Sequence, residues 1–349
     1  MKTVFVGLSG GVDSAVSAYL LKKDGYRIVG AFIKAWEPPF LPCTGARDRL
    51  EAMRVAAHLE IPFVTYDLSE EYKREVVDSF IEEYRVGRTP NPDVLCNRSI
   101  KFGSFWERAR ADGADFIATG HYAVSESREK SFELRVSKDK KKDQTYFLWT
   151  LHQDDLAHSL FPVGGLEKNE VRKIAAQARL PNALRKDSQG LCFLGHVDMK
   201  DFLLRYVSRE SGAVINAEGS QIGTHDGLAF YTVGERFPGQ GPEKLYVVAK
   251  NRQENTLTVS RQADLSALGY RHFEIEQVNW IRTTPEPGRL YGGQVRYHGD
   301  MLEVTVNLTG TATVVDTSVP VLAAEGQSLV IYDTARGECM GGGIISVCR

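Results

Sequence analysis

The turn at residues 7–14, GLSGGVDS, constrains the fold most, because it joins a strand-like run to a helix-like one. TVFVGL on its N-terminal side has the β-branched and aromatic content of a strand. On its C-terminal side Val12, Ala15, Val16, Tyr19 and Leu20 fall at i, i+3, i+4, i+7 and i+8, one apolar helix face. Lys22 and Lys23 suit the negative end of that helix's dipole, and Gly25 supplies a stop. The alternation then continues. RIVGAFIK reads as a second strand, residues 47–59 as a helix and IPFVTYDL as a third strand. Tyr72, Val76, Phe80, Ile81 and Tyr84 mark another helix, and DFIATGHY a fourth strand. Strands alternating with helices predict a parallel sheet covered on its faces.

From Ser125 the character changes. KDKKKDQTYFLW carries a lysine cluster and then aromatics, residues 166–180 read as a helix ending before Pro181, and LRKDSQGLCFLG reads as a loop. Beyond about residue 205 the chain is glycine-rich and strand-like. LYVVAK and TLTVS flank NRQEN as a hairpin, QVRYHGDMLEVTV is a second hairpin turning at Gly-Asp, and SLVIYD and GGIISVC add further strands. The expected organisation is an α/β domain over 1–200, a small central β-rich domain over 201–270 and a C-terminal β-barrel over 271–349.

A chain of 349 residues is long for one domain. Its formal net charge of -2 excludes a polybasic, chromatin-type binder, although a local basic face is enough for nucleic acid. There is no run long enough to span a bilayer, and MKTVFVGLSGG lacks the apolar length and cleavage site of a signal peptide, so a cytoplasmic protein away from membranes is expected. The five cysteines are an odd number in what is then a reducing compartment, which disfavours structural disulfides. They include no CxxC pair, so no metal site is expected.

GLSGGVDS has the properties of a phosphate cradle. Glycines allow close backbone approach, the free N–H groups of the helix N-terminus point at the ligand, and Ser9 and Ser14 add hydroxyls. It lacks the Gly-Lys-Ser/Thr of a Walker A loop and is not a GxGxxG turn. The plainer alternative is a tight strand-to-helix turn with Asp13 serving the dipole. RTPNPDVLCNRSIKF, residues 88–102, shows neither helix nor strand period and reads as a stiff polar loop around Cys96. From its setting alone, Cys96 is a metal ligand, a packed small residue or a nucleophile.

SGGVDS resembles the loop of the PP-loop ATP pyrophosphatases, which have an adenine nucleotide alpha-hydrolase-like domain and cleave ATP between its α and β phosphates. RTPNPDVLCNRSIKF, ATGHY (118–122), KDQTYFL (142–148), KDSQGLCF (186–193) and GGGII (341–345) extend the resemblance to the tRNA-specific 2-thiouridylases, nearly end to end. That family replaces the C2 oxygen of the wobble uridine with sulfur in tRNAs for lysine, glutamate and glutamine. Transfer of AMP turns a poor leaving oxygen into a good one, and a cysteine persulfide supplies the sulfur nucleophile. A second cysteine then attacks the inner sulfur and leaves a disulfide.

The resemblance implies a persulfide on Cys192, the second catalytic cysteine at Cys96 and an acid/base at Asp93. Gly7, Leu8, Ser9, Gly10, Gly11, Val12, Asp13, Ser14, Ile33 and Gly120 would line the site for ATP with its Mg2+. Asn91, Pro92 and Asp93 would meet the target base. His121, Lys142, Asp143, Gln144, Arg296, Tyr297 and Gln327 would contact tRNA, with the barrel as the tRNA-contacting domain. The partners implied are tRNA and a sulfur donor, either a cysteine desulfurase or a relay protein. Arg185 and Lys186 would favour a thiolate at Cys192. Two departures stand out: Phe237 and Pro238 replace the family's usual Arg/Lys-Gly-Leu run, and Ile33 stands where methionine is common. Another PP-loop ligase acting on a small molecule, or an RNA-binding module with a relic loop, are the alternative functions. Cys43, Cys339 and Cys348 read as packing residues.

Overall fold

A computed structural model describes residues 1–40, 45–129, 131–186, 199–238, 244–261, 268–310 and 312–349. The first strands are β1 (Thr3–Gly7), β2 (Arg27–Lys34), β3 (Phe63–Asp67) and β4 (Phe116–Ala118). They join a two-residue strand, Ser159–Leu160, in an all-parallel sheet whose order is β3-β2-β1-β4 and then that strand. The first connections run outward from β1 to β2 and β3, and β4 then adds on the other side of β1. The order therefore reverses between β1 and β4, which opens a crevice at their C-terminal ends.

Helix α1 (Val12–Lys23) follows β1, and α2 (Gly45–His58) follows β2. The sequence predicts one apolar face on α1, yet Ser14, Ser17, Ala18 and Leu21 are buried along with Val12, Ala15 and Val16. The reason is that α1 lies between the sheet and helix Lys168–Gln177, whose Val171 and Ala175 share its core. A second core on the opposite face gathers Phe5, Ile33, Tyr72, Val76, Phe80, Ile100 and Phe105.

Two sequence expectations change here. DFIATGHY is a strand only over Phe116–Ala118, and Thr119–Tyr122 turn away beside the crevice. RTPNPDVLCNRSIKF is not a loop throughout. Pro92–Leu95 is a turn of α-helix, and Cys96–Ser104 continues it as π-helix into helix Phe105–Ala111. Asn91 caps this run, its Oδ1 accepting from the N–H groups of Asp93 (3.1 Å) and Val94 (3.3 Å), and Pro92 sits at the first helical position where its missing donor is harmless. Burial of Val94, Cys96, Ile100 and Phe102 holds the run against the core.

The hairpin of β5 (Ala123–Arg128) and β6 (Ser131–Val136) leaves the parallel sheet. It pairs instead with the last strand of the chain, Glu338–Cys348, where Leu134 faces Cys339. That last strand closes a six-stranded antiparallel barrel with Tyr270–Trp280, Leu290–Gln294, Leu302–Thr309, Ala312–Val321 and Ser328–Asp333. Phe273, Val304, Val306, Val315, Leu329 and Ile345 fill it. Between the two parts, Gly212–Ile215, Gln221–His225, Leu245–Asn251 and Thr256–Arg261 form a four-stranded sheet over Val214, Val247, Leu257 and Val259. Among the described residues no helix is long and apolar enough to cross a membrane.

Candidate active site

The loop after β1 is held from behind. Asn182 Nδ2 donates to the carbonyls of Gly10 (2.8 Å) and Gly11 (3.0 Å), and Arg185 Nη1 adds a bond to Gly10 O at 3.2 Å. Tying those carbonyls fixes the peptide planes, while the first N–H groups of α1 have no partner inside the helix. Gly10 takes a φ of 76°, which an L side chain rarely adopts. Ser14 Oγ donates to Gly11 O at 3.1 Å and lies 3.3 Å from Ser9 Oγ. Leu8 N–H bonds Ala31 O, and Ile33 is buried two residues further along β2. Asp13 takes both oxygens to Lys168 Nζ (2.7 and 2.8 Å) and accepts from Tyr122 OH at 2.9 Å.

The turn after β4 closes the crevice from the other side. Ser17 Oγ donates to Thr119 O, and a Cβ on Gly120 would lie 2.7 Å from Ser14 N. His121 is buried, with Nδ1 2.8 Å from Thr119 Oγ1 and Nε2 3.4 Å from Lys101 Nζ. Burial, helped by the Lys101 charge, holds its pKa well below the usual 6.5, so the ring is neutral and Nε2 accepts from Lys101. Lys101 lies on the same helical run as Cys96, five residues on, and thus connects that run to the crevice.

At the other end of this run the helix N-terminus meets an aromatic cluster. Asn97 Nδ2 donates to Phe147 O at 3.0 Å, and Asn91 meets the Tyr146 hydroxyl. Tyr297, from the barrel, sits 4.4 Å from the Phe147 ring and 6.3 Å from Tyr146. Burial, and then the Asp143 and Asp93 carboxylates, push its phenol up to about 12. Asn91, Asp93, Asp143, Tyr146, Phe147 and Tyr297 therefore converge from three stretches of chain. Cys96 is fully buried behind them in the core that also contains Ile33 and Phe105.

The expected tRNA-contact residues divide. Arg296 is exposed, and Lys142 and Gln327 are half-buried. Asp143 and Gln144 make internal bonds: Asp143 accepts from Ser137 N–H (2.7 Å) and Thr145 Oγ1, and Gln144 Oε1 from Tyr122 N–H (3.0 Å). Burial raises the Asp143 pKa above the carboxylate norm. Cys192 and Cys43 lie outside the described residues, as does the GQG at 239–241. Cys339 and Cys348 are thiols pushed upward by burial, the latter to about 12, which is the environment of inert packing residues. Asn182, Lys168 and Lys101 were not foreseen as parts of the site. Asn182 and Lys168 are single polar residues with no local motif, brought in only by tertiary packing, whereas Lys101 stands inside RTPNPDVLCNRSIKF, where its place on the helical run is what aims it at the crevice. Among the described residues no group of three His, Cys, Asp or Glu side chains is arranged to hold a metal.

Comparison with known proteins covers the whole architecture. Residues 2–196 match the family described as tRNA methyl transferase HUP domain, residues 200–261 the tRNA methyl transferase PRC-barrel domain and residues 270–345 the aminomethyltransferase beta-barrel domain. The chain is 42% identical to the tRNA-specific 2-thiouridylase MnmA of Nitrosococcus oceani, over 98% of this chain and 96% of that one. It is 41% identical to the protein of the same name from Enterococcus faecalis, over 98% and 94%. Among solved structures, the U34-tRNA thiolase NcsA from Methanococcus maripaludis is similar at 17% identity and a TM-score of 0.37, covering 58% of this chain and 63% of that one. A 4-thiouridine synthetase in complex with RNA and bound ATP is similar at 18% identity and a TM-score of 0.35, covering 59% and 50%.

Proposed function

This chain belongs to the tRNA-specific 2-thiouridylase family, and we propose that it is an ATP-dependent tRNA-uridine 2-sulfurtransferase acting on the wobble uridine of tRNAs for lysine, glutamate and glutamine. The observation that carries this reading is the near full-length identity to such enzymes, in a fold where one helical run reaches from the phosphate crevice to the cluster around Asn91 and Asp93. ATP binds with its phosphates on the N–H groups at the start of α1, in the loop from Gly7 to Ser14, with the base near Ile33 and Gly120. The uridine C2 oxygen attacks the α-phosphorus and expels pyrophosphate, which leaves C2 carrying an AMP leaving group.

The target base leaves the anticodon stack, at a cost of about a few kcal/mol, and stacks against the partly exposed Phe147 and Tyr297 rings, which the buried Tyr146 backs. Asn91 and Pro92 hold the helix N-terminus rigid at the base, and Asp93 accepts the uridine N3 proton as the C2 oxygen is adenylated and returns it as 2-thiouridine forms. The outer sulfur of a Cys192 persulfide attacks C2 and AMP departs. The Cys96 thiol, fully buried in this structure, must be uncovered for the next step. Its thiolate then attacks Sγ of Cys192, so the S–S bond to the transferred sulfur breaks, 2-thiouridine is released and a Cys96–Cys192 disulfide remains. Two electrons from a reductant restore both thiols, and a desulfurase or relay protein reloads Cys192. Mg2+ bound with ATP would offset the charge of the phosphates, and Asp13, the one carboxylate of the loop, is already paired with Lys168.

The test that separates this reading from a small-molecule ligase is the tRNA dependence of ATP cleavage. Purified protein should release pyrophosphate from ATP when unmodified tRNA is added, and free AMP once a persulfide donor is also supplied. Equal release without tRNA would favour the ligase, and tRNA binding with no release an RNA-binding module.

A further inference from the structure

Residues Gly87–Thr89 lead directly into Pro90 and the Asn91 cap, and both C-terminal parts of the chain grip them. From the central sheet, Lys250 Nζ donates to Gly87 O at 3.2 Å. From the barrel, Glu276 pairs with Arg88 at 2.6 Å. Thr89, buried, donates its N–H to Glu325 O at 2.8 Å. Gly326, the residue after Glu325, packs against this segment so closely that a Cβ would lie 2.9 Å from Thr89 N and 3.0 Å from Arg88 Cβ. Its φ is 92°.

The turn that makes this contact is itself fixed. Gly326 N–H donates to Ile345 O and Ile345 N–H to Gln327 O, both at 2.8 Å. Gln327, expected to touch tRNA, thus stands two residues from the carbonyl that holds Thr89. Thr89 stands two residues from the side chain that caps the Asp93 helix. The path from RNA surface to base site is two hydrogen bonds and a handful of residues long.

We propose that the Glu325–Gly326–Gln327 turn is a positioning device that sets Asn91 and Asp93 against the target base when tRNA engages the barrel. This rests on the proposed tRNA thiolation. The turn touches no reacting atom, so it acts on the alignment of the base site and not on ATP binding. Misplacement of a reacting group by about 1 Å costs on the order of 100-fold in rate.

The experiment is steady-state thiolation by Gly326→Ala, with Gly288→Ala as the matched control. Gly288 has a φ of 75°, and a Cβ added there would meet no atom within 4 Å, so its variant carries the backbone strain without the contact. Gly326→Ala should lower kcat by about 10- to 100-fold. Its KM for ATP and its Kd for tRNA should stay near wild type, and Gly288→Ala should keep wild-type kcat. A folded Gly326→Ala enzyme with wild-type kcat, or equal losses in the two variants, overturns the inference. If Gly326→Ala does not fold by circular dichroism, Glu276→Gln reads the same clamp through Arg88. Lower kcat at unchanged ATP KM supports the clamp, and unchanged kcat refutes it. A wild-type protein that makes no 2-thiouridine removes the proposed function and this inference with it. A working wild type beside a fully active Gly326→Ala removes this inference alone.

Discussion

Gly120→Ala is the sharpest perturbation of the nucleotide crevice. The added Cβ would sit 2.7 Å from Ser14 N, 2.9 Å from the Asp13 carbonyl carbon and 3.0 Å from Asp13 Cβ. Non-bonded heavy atoms rest at about 3.5–4.0 Å, so one side must retreat by about 0.8 Å. Neither can do so cheaply. The two nearest obstacles are backbone atoms in the first turn of α1, which is buried between the sheet and helix Lys168–Gln177. Overpacking of this kind costs about 1–3 kcal/mol. If the displacement falls on the phosphate loop, ATP affinity drops by roughly 5- to 140-fold, at tenfold per about 1.4 kcal/mol. Isothermal titration with a non-hydrolysable ATP analogue measures it. Gly165→Ala is the control, because a Cβ there meets nothing within 4 Å. A folded Gly120→Ala protein that binds the analogue as tightly as wild type would refute the placement of the nucleotide between the β1 and β4 turns.

Two further outcomes test the packing around this site. Arg282 bonds Glu133 on β6 and Glu338 on the last strand, and both carboxylates are almost fully buried. Arg282→Met takes the bidentate partner from buried Glu338 and leaves Glu133 paired, among the described residues, with Arg128 alone. It should destabilise the protein by about 3 kcal/mol in urea unfolding; an unchanged midpoint would show that the hairpin does not depend on this link. His121 is neutral in the fold because its pKa lies well below 6.5, whereas the unfolded chain takes up a proton near that pH. Its contribution is therefore intact above about pH 6.5 and is lost as pH falls, so wild type should lose more stability between pH 7.5 and 5.5 than His121→Gln does. Parallel losses in the two proteins would contradict the assignment of a buried neutral ring.

The parallel sheet was legible because its strands and helices carry their own periods, and the GLSGGVDS turn marks where they meet. The β5–β6 hairpin was not. Ala123 to Val136 follows β4 in sequence but pairs with a strand some 200 residues later, and strand propensity does not name a partner. Ser159–Leu160 is too short to show alternation. The helix through Cys96 carried a readable signal in Asn91 followed by Pro92, a cap and a first-turn proline, but two prolines and a missing apolar period argued for a loop. In the site, the residue types that bind phosphate stand in one contiguous stretch, so sequence reveals them. Asn182, Arg185 and Lys168, which hold that stretch from behind, come from 155 to 175 residues away. Sequence spacing contains no trace of that contact.

Sulfur transfer through two cysteines is the central claim, and nucleoside mass spectrometry tests it most directly. Unmodified tRNA is incubated with ATP, a persulfide donor and the wild-type, Cys96→Ala or Cys192→Ala protein, then digested. Wild type should yield 2-thiouridine at the wobble position, and neither variant should yield it at a comparable rate. Wild-type rates of 2-thiouridine formation from both variants would contradict the account.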